Sequence, residues 1–317
     1  MTTFAHSKNH YTNALDDEKN EASKNNIIKK SHSGVALKLI GSQQDWVIKG
    51  SNTKFRFIVV LDGHGKGNVI NHLKTLDWNK ILIENEYADQ VLLSINEFLS
   101  CDKNGKIADN FRDGSTCSIV KQYDTYIECY TIGDSQVGIK INDKYFYTVN
   151  HDADNTDEVK RLSKEYDISI TDTWKGRILN NTDMTMIPGK YFDFPNTYRS
   201  STDRIAMTRS LGHNYGNKFS TLQQFEIFRI DYTQEDDVVI IAATDGLWDV
   251  VHDKNNILET FYNEAKAVSG NTALTRLINR TENKWMQKWN YCWKSKIVEQ
   301  TKIPNPDDIG IAYLANY

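Results

Sequence analysis

Two apolar runs in this chain are long enough, and poor enough in polar residues, to be strands buried on both faces. FRFIVVL occupies residues 55–61, and DDVVIIAA occupies residues 236–243. Near-continuous Val, Ile and Leu are typical of strands that are covered on both sides. Each run leads within two residues to an aspartate followed by glycine, at Asp62 and at Asp245. The sequence therefore predicts rigid strands that hold carboxylates in fixed directions.

A third apolar strand carries the same signature at its start. Asp307 and Asp308 immediately precede IGIAYLA, the last strand. Carboxylate oxygens are hard ligands that suit Mg²⁺ or Mn²⁺. Several converging carboxylates repel one another unless a cation lies between them. The glycine at position 63 lets the backbone approach an ion closely, so its carbonyl is also a candidate ligand. Each Asp-Gly pair alone is more often a simple turn.

The remaining pattern predicts a two-sheet core with helices on the outside. Short strands at regular spacing, separated by turn residues, indicate antiparallel meanders; they are TCSIVKQ, TYIECYTI, QVGIKI and KYFYTV. Helices are predicted at about 66–77 and 87–100, in DNTDEVKRLSKE with Asp154 or Asn155 as N-cap, and as a C-terminal pair. The predicted class is α+β, a four-layer α-β-β-α sandwich of two mainly antiparallel sheets flanked by helix pairs.

The domain organisation is predicted to be simple. Residues 1–33 are polar and charged, and they are predicted to form a flexible arm. Residues 34–317 are predicted to form one catalytic domain. Within it, residues from about 166 to 203 are rich in Tyr, Asn, Asp and Thr, which predicts an irregular, flap-like segment.

Composition excludes several classes of protein. With 39% hydrophobic and 25% charged residues the chain is of ordinary globular type, and no apolar run is long enough to span a membrane. The N-terminus shows no apolar signal stretch, so we expect an intracellular location in cytoplasm or nucleus. A net charge of −4 gives no general attraction to nucleic acid or membrane, and neither partner is expected.

Three tryptophans recur at a spacing of four residues: Trp285, Trp289 and Trp293. On a helix they form one aromatic stripe, which predicts packing against the core. The alternative is a helix that presents this stripe to a protein partner. Lysines on the same stretch are accompanied by no nucleic-acid-binding motif.

Eight motifs in order along the chain resemble the type 2C family of metal-dependent protein serine/threonine phosphatases. They are GSQQDW (41–46), VVLDGHGKG (59–67), DGSTCSIV (113–120), YTIGDSQVGI (130–139), HDADNTDEVKRL (151–162), IAMTRSLG (205–212), IIAATDGLWDVV (240–251) and PDDIGIAYL (306–314). The resemblance covers nearly all of the chain from Gly34 to Tyr317. No single motif has the specificity of the ordered set.

The resemblance implies a binuclear site of two Mg²⁺ or Mn²⁺ ions. Asp62 would bridge both ions, and the carbonyl of Gly63 would bind the second. Asp245 and Asp307 would complete the first site, and Asp45 would act through metal-bound water. A hydroxide held between the ions would attack phosphorus in line.

The family pattern also implies a proton donor. His64 would protonate the leaving serine or threonine oxygen, a role that suits a side chain titrating near neutral pH. The alternative for His64 is a loop histidine bonded to the backbone.

Departures from the family pattern affect the periphery of the site. Gln44 stands where the family has a glutamate, and the phosphate-gripping arginine is absent, since no arginine occurs between Met1 and Arg56. Substitutes for that arginine are Arg199, Arg204, Lys38 and Lys49. Asn150 stands where the family has an aspartate for a third metal. Asp249 matches that site's other carboxylate, so a third ion is predicted to be poorly held unless Asp152 contributes. His213 replaces an aspartate after SLG and is interpreted as a surface residue.

These observations predict a Mg²⁺- or Mn²⁺-dependent phosphatase that acts on phosphoserine and phosphothreonine in protein substrates. Two alternatives remain open. One is a non-catalytic, phosphatase-like module that binds a partner or a phosphoprotein. The other is a phosphatase of small-molecule phosphoesters on a similar carboxylate site. The intact aspartates at positions 62, 245 and 307 favour an enzyme, because an acidic cluster is costly to retain without a cation.

Overall fold

The computed structural model describes ten stretches of the chain, which are residues 29–84, 111–165, 169–172, 175–178, 190–195, 202–214, 224–287, 289–293, 296–302 and 306–317. The strands, in chain order, are β1 (Ser31–Lys38), β2 (Asp45–Ser51), β3 (Phe55–His64), β4 (Phe111–Ser115), β5 (Cys117–Tyr123), β6 (Tyr126–Ile132), β7 (Gln136–Ile141), β8 (Lys144–Tyr147), β9 (Ser169–Asp172), β10 (Lys175–Ile178), β11 (Lys190–Pro195), β12 (Thr202–Ile205), β13 (Leu211–Asn214), β14 (Glu226–Asp231), β15 (Val238–Ala243), β16 (Trp289–Trp293), β17 (Lys296–Lys302) and β18 (Ile309–Asn316). The helices are α1 (Asn68–Thr75), α2 (Trp78–Glu84), α3 (Thr156–Glu165), α4 (Asp245–Trp248), α5 (Lys254–Ala267) and α6 (Gly270–Trp285).

Two large antiparallel sheets form the centre of the molecule. One has the strand order β1-β18-β15-β7-β8, and the other has the order β13-β4-β3-β5-β6-β14, with β2 also paired to β3. The sheets pack face to face through β3 and β18. The two predicted central strands are confirmed as β3 and β15, and each lies in the middle of its sheet, which explains their near-continuous apolar character.

In the part of the chain that the structure describes, three hydrophobic cores lie between the four layers. The core between the sheets includes Ile58 and Val60 of β3 together with Ile240 of β15. Neighbouring residues of β3 point the opposite way, and Val59 and Leu61 pack against α1 and α2. The third core lies beneath α5 and α6, on the outer face of the five-stranded sheet. The α+β, four-layer α-β-β-α sandwich is confirmed.

Local sequence signals explain several helix boundaries. Asn155 caps α3, because its Oδ1 accepts hydrogen bonds from the backbone N–H of Asp157 at 3.0 Å and of Glu158 at 3.4 Å. Asp253 caps α5 by accepting from the N–H of Asn256. The predicted N-cap and the C-terminal helix pair are thus confirmed. Of the two helices predicted near the N-terminal sheet, the first is α1, and the second, at 87–100, lies outside the described residues.

Other expectations need correction. The Trp285, Trp289 and Trp293 stripe is not helical, because α6 ends at Trp285 and residues 289–293 form β16. A spacing of four also fits a strand, where alternate side chains share a face. Trp285 itself is buried, and its indole N–H donates to the carbonyl of Gly246 at 2.7 Å. A helical partner surface built on these three residues is therefore wrong.

The N-terminal boundary and the segment from about 166 to 203 also differ from expectation. β1 begins at Ser31, three residues before Gly34, because its full length pairs with β18. The segment predicted to be irregular contains β9, β10 and β11, and β12 begins at its end. Aromatic residues in KYFDFP and β-branched residues in SITD favour strands and outweigh the turn-rich composition between them. Residues 1–28 lie outside the described part of the chain.

No helix among the described residues is both long and apolar enough to cross a membrane.

Candidate metal centre

Six aspartates from separate parts of the sequence interact at one end of the sandwich. We call them the aspartate cluster: Asp45, Asp62, Asp134, Asp245, Asp249 and Asp307. Asp45 of β2 lies directly opposite Asp62 of β3 in the strand register. Asp245 opens α4 just after β15, and Asp307 precedes β18, the strand that pairs with β15. The fold therefore brings together every metal ligand that the sequence predicted, and it adds Asp134.

The strand that carries Asp62 extends further than predicted. β3 continues through Gly63 and His64, because β4 pairs with these two residues after β5 has stopped pairing. The backbone of Asp62 is fixed on both sides by Thr116, whose hydroxyl accepts from its N–H at 3.1 Å and whose N–H donates to its carbonyl at 2.9 Å. Asp62 is therefore held inside a strand rather than in a flexible loop.

The carboxylates of the cluster repel one another in a poorly solvated environment. Burial, followed by the charges of Asp45 and Asp134, raises the pKa of Asp62 well above its usual range. Burial and the charge of Asp62 do the same to the pKa of Asp245. Burial raises the pKa of Asp45 to about 8, against the opposing hydrogen bond from Thr244. A group of acids in this state binds either protons or cations.

Asp134 and Asp249 form the second half of the cluster. Burial, and next the charge of Asp152, raise the pKa of Asp134 to about 7. Burial, followed by the charge of Asp134, raises the pKa of Asp249 well above its usual range. The sequence motif GDS contains Asp134, but a turn aspartate is common, and only the packing of the turn between β6 and β7 reveals its place. A carboxylate is therefore close enough to Asp249 to raise its pKa, although Asn150 carries none.

The loop before β2 is built around Asp308, the neighbour of a cluster member. Its Oδ1 accepts from the N–H groups of Ile40 and Gly41, both at 2.7 Å, and its Oδ2 accepts from the N–H of Gln44 at 2.8 Å. The hydroxyl of Ser42 adds a bond of 3.2 Å. Asp308 is fully buried. Asp308 therefore stabilises the loop that leads into Asp45.

Two glycines allow the close packing on which the cluster depends. A Cβ at position 246 would lie 1.8 Å from the carbonyl oxygen of Asp308, so only glycine fits between α4 and the start of β18. A Cβ at position 63 would lie 2.6 Å from Cβ of Ile70 on α1. Both Asp-Gly pairs are therefore required by packing, not by turn geometry alone.

Thr244 links three elements beside the cluster. Its hydroxyl donates to Oδ2 of Asp45 at 2.7 Å and accepts from the N–H of Gly310 at 3.0 Å. Trp248, in the same DGLWD motif, is buried, and its indole N–H donates to the carbonyl of Gln136 at 2.9 Å. The α4 loop is thus anchored on both β18 and β7.

His64 lies next to the cluster and close to Asp113. Burial lowers the pKa of His64 to about 4, although the charge of Asp113 and a hydrogen bond from the imidazole to the backbone of Asp62 oppose this shift. Its imidazole is therefore neutral near pH 7 in the protein alone. The carboxylate of Asp113 is used in the turn before α1, where Oδ1 accepts from the N–H of Lys66 at 2.6 Å.

The predicted substitutes for the missing arginine are mostly placed elsewhere. Lys38 forms an ion pair of 3.0 Å with Glu282 on α6, and Lys49 donates to the carbonyl of Ser33 at 3.1 Å. Arg204 belongs to β12, where the backbone alone is described, and Arg199 lies outside the described residues. His213 is placed in β13, again by its backbone alone.

The chemistry of the donor set fits a hard divalent cation. Asp62, Asp245 and Asp249 keep some solvent-exposed area although protein encloses them on nearly all sides, so an ion can reach them. Among the residues that the structure describes, no three acidic, His or Cys side chains already converge as a closed set of ligands. The described carboxylates are therefore near enough to raise one another's pKa without forming a closed set of ligands.

Comparison with known proteins agrees with this fold and site. The family model for protein phosphatase 2C matches residues 17–282, which is most of the 317-residue chain. The chain belongs to the protein phosphatase 2C family, of which it is a divergent member. Probable protein phosphatase 2C 76 of Arabidopsis thaliana is 23% identical over 209 residues, 62% of this chain and 42% of that protein. Probable protein phosphatase 2C 7 of Oryza sativa subsp. japonica is 23% identical over 222 residues, 66% of this chain and 50% of that protein.

The match therefore spans about half the length, or less, of these two curated relatives. Among solved structures, a serine-threonine phosphatase 2C from Toxoplasma gondii superimposes with a TM-score of 0.55 at 14% identity. That alignment covers 90% of this chain and 94% of the other. Because the identity is only 14%, this likeness is evidence for the fold alone.

Proposed function

We propose that this protein hydrolyses phosphoserine and phosphothreonine in protein substrates, in a reaction that depends on two Mg²⁺ or Mn²⁺ ions at the aspartate cluster. The observation that carries the proposal is the convergence of buried carboxylates that raise one another's pKa. Such a set is unfavourable in the protein alone and favourable once divalent cations bind. The family assignment supplies the reaction class.

In this proposal the predicted ligands keep their roles. Asp62, Asp245 and Asp307 would hold the first ion, and Asp62 and the carbonyl of Gly63 would hold the second. Asp45, whose carboxylate accepts from the hydroxyl of Thr244, would take part through water. When bound, two divalent ions lower the pKa of a water to the neutral range and neutralise charge on the phosphate.

His64 is the proposed proton donor to the leaving oxygen. Its neutral state in the protein alone must change for that role, and a phosphate dianion in the site would favour the protonated imidazole. The low pKa of about 4 has burial as its main cause, so the substrate must supply the compensating charge. His64 is therefore proposed to act only with substrate in place.

Substrate access is proposed along a surface groove beside Asp307. The groove is lined by Ile40, Gly41, Ser42, Pro306 and Asp307. The groove is open to solvent, and an open groove suits an extended phosphopeptide. Arg199 and Arg204 remain the proposed cations for the substrate phosphate.

The test compares two substrates with and without metal. The protein, freed of metal with EDTA and dialysed, is assayed with p-nitrophenyl phosphate and with a phosphothreonine peptide before and after addition of Mn²⁺. We expect Mn²⁺-dependent turnover of both substrates, lost in Asp245→Ala and kept in Asp231→Ala. Asp231 is a suitable control because its side chain is 79% exposed, on β14.

The other outcomes separate the alternatives. Turnover of p-nitrophenyl phosphate without turnover of several phosphopeptides would favour a small-molecule phosphatase. Mn²⁺ binding without turnover of either substrate would favour a non-catalytic binding module. Absence of Mn²⁺ binding would overturn the metal site itself.

A further inference from the structure

His151, in the loop between β8 and α3, is a fully buried histidine that is not a member of the aspartate cluster. Both of its ring nitrogens form hydrogen bonds. Nδ1 accepts from the N–H of Gly133 at 3.2 Å, and Nε2 lies 3.3 Å from Oε2 of Glu226 on β14. The backbone N–H of His151 also donates to the carbonyl of Gly133 at 3.1 Å. His151 therefore joins the turn between β6 and β7 to β14.

The partners of the imidazole determine which ring nitrogen carries the proton. A backbone N–H can only donate, so Nδ1 must be unprotonated in order to accept from Gly133. Nε2 then carries the proton and donates a hydrogen bond to the carboxylate of Glu226, which is 36% exposed to solvent. These bonds define the neutral Nε2–H tautomer of His151.

The turn that His151 holds packs directly on Thr116. Gly133 has a φ of 95°, and a Cβ at this position would lie 2.6 Å from Cγ2 of Thr116. Two residues further on, Oγ of Ser135 lies 2.6 Å from Oγ1 of Thr116, in a buried hydrogen bond between the two hydroxyls. The turn of residues 133–135 therefore contacts Thr116 at both of its ends.

Thr116 in turn fixes the backbone of Asp62. The same hydroxyl that bonds to Ser135 accepts from the N–H of Asp62 at 3.1 Å, and the N–H of Thr116 donates to the carbonyl of Asp62 at 2.9 Å. A continuous path of hydrogen bonds and close contacts thus leads from His151 to Asp62. A shift of the turn would move the hydroxyl on which the backbone of Asp62 depends.

We propose that His151 is a positioning residue for the metal centre. By accepting from Gly133, its imidazole fixes the turn of residues 133–135 against Thr116, and the turn then sets the position of Asp62. This inference rests on the metal site proposed above. Groups that orient metal ligands without touching the metal change metal affinity by about 10–100-fold when they are removed. Loss of the bond to Gly133 should therefore lower metal affinity as well as stability.

The experiment compares His151→Asn with His151→Gln, which form a matched pair. The side-chain oxygen of Asn can take the place of Nδ1 and accept from Gly133. Gln places its amide near the position of Nε2 and leaves the N–H of Gly133 without that acceptor. Mn²⁺ is titrated calorimetrically into each metal-free protein. We expect Mn²⁺ affinity to fall about tenfold in His151→Gln and to stay near the wild-type value in His151→Asn.

A purely structural histidine would give a different result. Both substitutions remove the buried ring, so both would lower the Tm of the metal-free protein, while the Mn²⁺ affinity of the folded protein would equal that of wild type. That outcome would overturn the inference and leave the proposed function intact. Equal losses of Mn²⁺ affinity in the two variants would also overturn it, because the bond to Gly133 would then not be the cause.

A wild-type protein that binds no Mn²⁺ would overturn the proposed function, and the positioning role is then decided by amide hydrogen exchange in EDTA. Exchange at the N–H groups of Gly133 and Thr116 should be faster in His151→Gln than in wild type, and near wild type in His151→Asn. Unchanged exchange at Thr116 in His151→Gln would overturn the role of His151.

A last test uses the wild-type protein alone and does not depend on how the variants fold. Long-range ¹H–¹⁵N correlation spectra distinguish the two neutral tautomers of an imidazole. We expect His151 to be the Nε2–H tautomer, because Nδ1 accepts from Gly133. An Nδ1–H tautomer would contradict the bond on which the inference depends.

Discussion

Carboxylates are buried at two places in the molecule, at Glu158 and in the aspartate cluster. Their negative charge is balanced in a different way at each place. Glu158 on α3 exposes 3% of its surface and is bound by Arg209 at 2.5 Å and by Arg161 at 2.8 Å. Burial alone would raise its pKa, but hydrogen bonds from Arg209, Arg161 and Thr208 outweigh burial and bring the pKa to about 2. In the aspartate cluster, burial and neighbouring carboxylates act in the same direction.

The difference separates a structural site from a functional one. The arginines that balance the charge of Glu158 belong to the same chain, so these ion pairs form as the protein folds. Glu158 joins α3 to the segment before β13, because Arg209 and Thr208 belong to that segment. The fold does not supply enough positive charge to balance the aspartate cluster. A bound cation can supply that charge. Perturbed acids of the second kind are typical of functional sites.

The largest expected effect comes from removing one charge from the cluster. Asp62→Asn should lower kcat/KM by about 10³-fold or more, since metal ions contribute several kcal/mol to such reactions. In EDTA, its Tm should equal or exceed that of wild type, because one repulsive charge is gone. Activity assays and thermal unfolding of the same preparation check both parts.

A fall in the metal-free Tm of Asp62→Asn would contradict the comparison. It would mean that Asp62 supports the fold by itself, as Glu158 does. The hydrogen bonds of Thr116 involve the backbone of Asp62 and are unaffected by this substitution, so they do not confuse the result.

The second effect is expected at the structural site. Glu158→Ala should lower the free energy of unfolding by about 3–5 kcal/mol, because two arginines lose a buried partner. Urea unfolding checks the value. The matched control on the same helix is Asp157→Ala, whose pair with Lys160 at 3.1 Å is exposed and should contribute less than about 1 kcal/mol. Equal losses of unfolding free energy in the two variants would show that the buried Glu158 ion pairs stabilise the fold no more than an exposed pair does.

The third effect is a pH dependence of opposite sign at the two sites. Asp45 and Asp134 have pKa values raised to about 8 and about 7, so the metal-free fold binds their protons more tightly than the unfolded chain does. Their stabilising contribution is complete below about pH 4 and is lost as the pH rises through 7 to 8. The free energy of unfolding of the metal-free protein should therefore fall by several kcal/mol between pH 5 and pH 8, because each raised acid contributes up to about 1.4 kcal/mol per pH unit below its native pKa.

Glu158 gives no trend in that range. Its pKa is lowered to about 2, so its contribution is present above about pH 4.5 and is lost only as the pH falls toward 2. Saturating Mn²⁺ should remove the decline between pH 5 and pH 8. Denaturant unfolding in EDTA that is flat over this range would contradict the repulsion inferred for the cluster.

The sequence predicted those features of the fold and the cluster that depend on residues adjacent in the chain. Continuous apolar runs identified β3 and β15, and the acids that follow them are both members of the cluster. Asp134 was missed because its place in the cluster depends on a distant partner, Asp249, which lies in another loop. The Trp289–Trp293 strand was misassigned because a spacing of four fits both a helix and a strand.

The smallest expected effect tests the polar support beneath the cluster. Thr244→Val keeps the shape of the side chain but removes the hydroxyl that donates to Asp45 and accepts from the N–H of Gly310. Mn²⁺ affinity should fall about tenfold, the lower end for residues that orient metal ligands. Thr244→Ser keeps the hydroxyl and should bind Mn²⁺ like wild type. If Thr244→Val also binds Mn²⁺ like wild type, then Asp45 is positioned by its pairing with Asp62 across β2 and β3, and the strand register alone sets the geometry of this end of the cluster.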